Sequence, residues 1–345
     1  MVRFEHKRAE LVIWLGDLKL GWSIEPRYWR NPLLGMALLA MLPLAFSGRP
    51  DFLTLITTAN AFACIAMPLA WQMTGTGRLN FGPQLFVGIG GYTAALISVH
   101  WGWGPWATLP MAVLVGLFFA ALFSPLTTLA KGLYFSLITL VLPLIFLELT
   151  YYFTGIFKGE TGLFGIAPLV NLGRIKTNYI VSAYMSLVLL MVFLFVVFRI
   201  MQSRYGLYAA AINDDEEIAE VMGLNINVWK VICFTITSVM IAVTGWFMAH
   251  YFGTFAGVTF LPLPFMLKIL LVVMIGGRGG IYGAIYGAYF VVILEKLLTV
   301  IGPTSHFLFP LILLILLFVL PEGIYGMIRR HRYREYYPTI RVRRR

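Results

Sequence analysis

The chain has 345 residues, of which 60% are hydrophobic and only 12% charged. An ordinary soluble domain carries roughly a quarter charged residues and under half apolar ones, so this composition excludes a water-soluble globule. The net charge of +11 would suggest nucleic acid if it were spread evenly, but residues 329–345 hold eight arginines against one glutamate, hence +7. A basic run just after the last apolar stretch fits a cytoplasmic anchor on anionic lipid, not a nucleic-acid partner.

In chain order, residues 1–31 come first. Leu11, Ile13, Trp14, Leu15, Leu18 and Leu20 set against Lys7, Arg8, Glu10, Asp17 and Lys19 predict an amphipathic interfacial helix. The stretch is too long for the n-region of a signal peptide, so the apolar run after it reads as an uncleaved first span. Apolar segments follow at about 31–48, 52–73, 81–99, 106–129, 133–154, 179–198, 229–250, 264–277, 281–300 and 307–328. The third and eighth are glycine-rich or short and are candidates for broken or re-entrant helices, which survive at membrane depth only under protein or beside water.

The expected fold class is therefore all-α: a polytopic membrane protein of about ten transmembrane helices, with eight as the lower count. Twenty Lys and Arg fall on one side of such a topology and six on the other. That bias places both termini in the cytoplasm. Trp101, Trp103 and Trp106 cluster at an outer turn, as an interfacial belt should. The expected organisation is an arm (1–31), a transmembrane domain (32–328) and a basic tail (329–345). Cys64 and Cys233 both lie in apolar runs and read as small buried hydrophobes rather than a disulfide.

Two hydrophilic intervals remain, an external one at 155–178 and a cytoplasmic one at 199–228. The second contains Asp214, Asp215, Glu216, Glu217 and Glu220, followed by Val221, Met222 and Gly223. The residues predict a short helix begun at Asn213 or Asp214, with acids near its positive end and Gly223 as its stop. Ile218, Val221 and Met222 would form apolar knobs suited to another protein's groove. A merely solvated charged loop is the alternative. A metal site is weaker, because the acids lack calcium-loop spacing.

Gly279, Gly283 and Gly287 recur every four residues and line one helix face, which lets backbones approach closely. Gly277 to Gly283 also spells a dinucleotide-like pattern, but no acid follows at the required distance. Gly88, Gly90 and Gly91, with Tyr92 and Thr93, could instead open backbone to a solute near the midplane; close packing is the alternative. Ionisable groups at depth are functional candidates by default: Glu148 and His250 above all, then Lys268, Glu295 and Lys296. No G-x-x-x-x-G-K-[ST], H-E-x-x-H or G-x-S-x-G motif occurs, and no Cys/His ligand spacing. Any energy source must lie in a partner, and no metal site is expected.

Glu217, Ala219 and Gly223 stand in the spacing E-x-A-x-x-x-G, which resembles the loop by which permease subunits of ATP-binding-cassette (ABC) importers engage their ATPases. Text from Tyr205 through Gly253 resembles branched-chain amino-acid permeases of the LivM type. So do FGPQLFVGIGGYTAAL from Phe81, KGLYFSLITL from Lys131, KGETGLFGI from Lys158, VVMIGGRGGIYGAIYGA from Val272 and LPEGIYG from Leu320. The resemblance covers about residues 52–328. It departs from the family's usual residues at Asn80, Pro83, Gln84, Asn213, Ala284 and Leu320.

The resemblance implies a transport subunit rather than an enzyme, in a bacterial or archaeal cytoplasmic membrane. It implies a second homologous permease, two ABC ATPases that use ATP and Mg, and a solute-binding protein as partners, with no cofactor on this chain. The solute would be a branched-chain or other hydrophobic amino acid, with urea or short amides as the alternative. An ATP-independent channel or carrier is the rival of another class. ATPase coupling would fall to Asp214, Asp215, Glu217, Ala219, Glu220, Met222 and Gly223. The solute path would use Asn80, Gln84, Gly90, Gly91, Tyr92, Thr93, Glu148 and His250.

Overall fold

The computed structural model describes residues 2–7, 10–15, 18–23, 39–130, 132–277 and 281–299, with isolated positions between 302 and 326. The expected basic tail, most of the expected tenth span and the first part of the expected first span lie outside the described residues. The later part of that first span, residues 39–45, is helical.

Residues 2–23, expected from sequence to be an interfacial helix, form instead a three-stranded antiparallel meander. Its strands are β1 (Val2–Lys7), β2 (Glu10–Leu15) and β3 (Leu18–Ser23), in the register Val2↔Leu15 and Leu15↔Leu18. The run Leu11-Val12-Ile13-Trp14-Leu15 is largely β-branched and aromatic, and a two-residue step separates each pair of strands, the length of a tight hairpin. In pieces this short, helical and strand periods are easily confused.

The rest of the described chain is almost wholly helical. We number the main helices α1 (Pro50–Thr76), α2 (Pro83–Trp101), α3 (Pro105–Phe123), α4 (Leu133–Tyr152), α5 (Ile175–Gln202), α6 (Arg204–Asp214), α7 (Glu216–Val221), α8 (Ile226–Phe252), α9 (Leu263–Gly276) and α10 (Ile281–Thr299). Proline at the first helical position begins α1, α2 and α3, where its missing N–H costs nothing. Seven helical stretches among the described residues are long and apolar enough to cross a membrane: α1, α3 extended to Leu129, α4, α5, α8, Gly257–Gly276 and Tyr282–Thr299. The protein is an all-α polytopic membrane protein in its membrane-embedded part.

Each of the two doubtful spans contains one continuous helix. α2 is one continuous helix, unbroken, and is buried in protein over most of its length. The eighth, expected over 264–277, is also one unbroken helix, α9, capped by Pro262 and preceded by a separate single turn, Gly257–Phe260.

Helices α1, α2 and α8 make the centre. A methyl added at Gly90 would collide with the Ala242 backbone, and one at Gly245 with the backbone of Val87. The α2–α8 crossing is therefore a backbone-to-backbone contact, the kind small residues permit where apolar burial gives no drive. Gly283 and Gly287 of α10 lie in the same way against Gly276 and Val272 of α9, while Gly279 is outside the described residues. Helices α3 and α4 turn apolar side chains such as Leu117, Phe118, Val141 and Ile145 outward, as a lipid-facing surface requires.

At the bundle end where α2 and α8 finish, β4 (Leu163–Phe164) pairs antiparallel with β5 (Thr254–Phe255). Ile166 N donates to Gly253 O at 3.2 Å and Leu169 N to His250 O at 3.1 Å. Residues 163–169 thus form a strap across the end of α8.

Candidate functional site

At the opposite end of the bundle, α6 and α7 form the connection between α5 and α8. Asp215 caps α7: its Oδ1 accepts from Glu217 N at 2.9 Å and Ile218 N at 3.0 Å. The helix therefore starts one or two residues later than the sequence predicts. Gly223, at φ +85°, ends it. Gly223 N donates to Glu220 O at 2.9 Å and Leu224 N to Ala219 O at 3.2 Å, the paired bonds of a Schellman stop. Asn225 then caps α8 through Val228 N at 3.2 Å. Caps on both sides hold six residues of helix that would not persist alone.

This short helix has two faces. Ala219 is 1% exposed and meets the bundle, whereas Ile218, Val221 and Met222 are 59%, 89% and 74% exposed. Those three stand at i, i+3 and i+4, one above another. Glu217 and Glu220 are exposed beside them; the side chain of Asp214 lies outside the described residues. Glu216, which the spacing does not single out, behaves otherwise: it pairs with Lys230 of α8 and lies 3.5 Å from Arg78 Nη2. Trp229 ties the start of α8 to α1, donating from Nε1 to Gly75 O at 3.0 Å, and stacks on Tyr205 of α6.

The residues proposed for a solute path are distributed along the bundle. Asn80 and Gln84 are buried near the α7 end. Asn80 Nδ2 donates to Gln72 Oε1 at 3.1 Å, and its Oδ1 accepts from Gly82 N at 2.9 Å. Gln84 is 0% exposed, and neither polar atom of its side chain has a hydrogen-bond partner among the described residues. Gly90 and Gly91 are occupied by packing on Ala242 and Phe255, so no opened backbone stands there. Tyr92 sits edge-on to Phe146, Phe157 and Phe255, its Oη accepting from Gly257 N at 2.6 Å. Thr93 donates to Ile89 O of its own helix at 2.7 Å.

At the far end, His250 is 1% exposed. Its ring nitrogens lie 2.7 Å from Thr108 Oγ1 and 2.7 Å from Ala167 O. Glu148 is on the exposed face of α4, away from these groups. Lys268 of α9 pairs with Glu295 of α10 and lies over the Phe62 ring at 4.2 Å. A further buried cluster carries no sequence motif: Asn60 of α1 donates to Ser186 Oγ of α5 at 2.9 Å and accepts from Tyr289 Oη of α10 at 2.7 Å. The one available signal was a lone amide inside an apolar run.

The family model described as branched-chain amino acid transport system, permease component, matches residues 52–320. The chain belongs to this permease family. Within it, the chain is 26% identical over 279 residues to the high-affinity branched-chain amino acid transport system permease protein LivM of Salmonella typhimurium, and 25% identical to LivM of Escherichia coli. Each alignment covers 74% of this chain and 65% of the relative, so the chain spans about two-thirds of the length of the LivM permeases. The fructose import permease protein FrcC of Rhizobium meliloti is 24% identical over 120 residues, 34% of this chain and 33% of FrcC. No solved structure matches the chain.

Proposed function

We propose that this permease is the membrane subunit of an ATP-driven ABC importer for branched-chain or other hydrophobic amino acids. The observation that carries the reading is α7: an externally capped helix with three exposed apolar side chains flanked by carboxylates. Docked into a groove on an ATPase, each knob gains about 1.5–3 kcal/mol from burial, and Glu216 and Glu217 sit in the first turn, where helix-end charge favours them. The chain has no phosphate-binding loop, so the energy of ATP enters through that contact. Both termini and α7 lie in the cytoplasm, with about ten spans in the inner membrane. A second homologous permease, two ATPases and an external binding protein complete the assembly.

The proposed coupling set is Asp214, Asp215, Glu217, Ala219, Glu220, Met222 and Gly223. Asn80, Gln84, which has no hydrogen-bond partner among the described residues, and His250 are the polar groups best placed to meet a solute when the bundle opens. An amino-acid substrate is favoured over sugars because the LivM permeases align over 74% of the chain and FrcC over only 34%. Urea or short amides form the second reading. The deciding experiment is uptake of labelled leucine and of urea by the assembly, expressed with its neighbouring genes and reconstituted in proteoliposomes. ATP-dependent leucine uptake is expected. Uptake by this chain alone without ATP would refute the importer reading, and urea uptake without leucine uptake would replace the substrate.

A further inference from the structure

Glu216 differs from its acidic neighbours in reaching back to the bundle, its side chain half-buried at 43% exposure. Asp215 caps its own helix, and Glu217 and Glu220 are exposed. Glu216 meets two cations that are themselves buried, Lys230 at 1% and Arg78 at 8% exposure. Arg78 also donates from Nη1 to Thr127 O at 2.6 Å and Ala130 O at 2.5 Å, carbonyls of the turn that follows α3. A single carboxylate therefore joins four parts of the fold: α7, the first turns of α8, the loop between α1 and α2, and the end of α3.

Apolar contacts slide at little cost, but buried charges do not. Withdrawing the carboxylate breaks ion pairs to cations held out of water, which costs more than shifting an apolar contact. A shift of α7 must then carry Lys230 and Arg78 with it, and through them α8, α2 and the end of α3. We propose that Glu216 is the positioning residue through which displacement of α7 reaches the transmembrane helices. This inference rests on the reading of α7 as the ATPase-docking helix.

The test uses the complete assembly in proteoliposomes, with ATP hydrolysis measured with and without solute-loaded binding protein. Glu216→Gln is expected to reduce the stimulated-to-basal ratio at least tenfold and to raise the ATP spent per solute. Glu216→Asp, which keeps the charge, is expected to recover at least half of the ratio. A Glu216→Gln assembly with an unchanged ratio overturns the proposal, as does a Glu216→Asp assembly as uncoupled as Glu216→Gln. Should Glu216→Gln fail to co-purify with the ATPases, Lys230→Met is read by the same criterion, since it removes one cation and keeps the packed stem. A wild-type assembly showing no ATP-dependent uptake refutes the functional reading instead, so the two failures are separable.

Discussion

Asn60, Ser186 and Tyr289 hold α1, α5 and α10 together through two hydrogen bonds of 2.9 and 2.7 Å. Lipid would satisfy the apolar side chains of these helices equally well, so directional bonds of this kind fix which faces meet. Asn60→Ala leaves the Tyr289 hydroxyl without its acceptor and Ser186 without its donor. The expected loss is about 1–3 kcal/mol, read as a fall of several degrees in the melting temperature of the purified protein in detergent. An unchanged melting temperature would show the cluster to be energetically idle. The amide stood out in the sequence only as a polar residue in an apolar run. Its partners, 126 and 229 residues away, were beyond reach of any local pattern. The same holds for Glu216: it sits in an acidic run where five residues look alike, and only the positions of Lys230 and Arg78 distinguish it.

Among the elements, α7 was the most legible. Its capping acid, its glycine stop and its apolar knobs all act within ten residues, where local chemistry decides. The structure moved only its first residue. Val221→Asp, at the most exposed knob, replaces apolar contact area with a charge and should weaken capture of the ATPases at least tenfold, about 1.4 kcal/mol. Co-purification from solubilised membranes measures this. Retention at wild-type yield would mean that the apolar face of α7 is not the docking surface. The glycines of α2 were legible as special but not as to purpose. A gap in side-chain volume signals either an opened backbone or a close neighbour, and only the position of α8 selects the second. In the arm, six-residue strands offer too short a window for their period to be read with certainty.

On the scale of the whole molecule, the class was fixed by composition, because a chain so poor in charge has no soluble alternative. The order of helices around α8 was not, since lipid-facing and protein-facing spans are equally apolar and differ mainly in where their small residues lie. Sidedness gives a clean measurement. In the chain expressed without its ATPases, a cysteine placed at Val221 should react with a membrane-impermeant maleimide only in inside-out vesicles, and one at Thr161 only in intact cells. Cys64 and Cys233 are both 0% exposed, so background labelling is low. The reverse pattern would invert the topology and remove α7 from the ATPases.

The strap at residues 163–169 has a mechanical meaning. It is bonded to α8 at Gly253 and His250, and Ala167 N donates to Ser98 Oγ of α2 at 2.9 Å. Helix α8, 27 residues long, spans about 40 Å, with the Glu216 joint at one end and the strap at the other. On the proposed coupling, whatever tilts the helix at the first end moves the strap at the second, so the strap and the acidic helix would be the two ends of one crank.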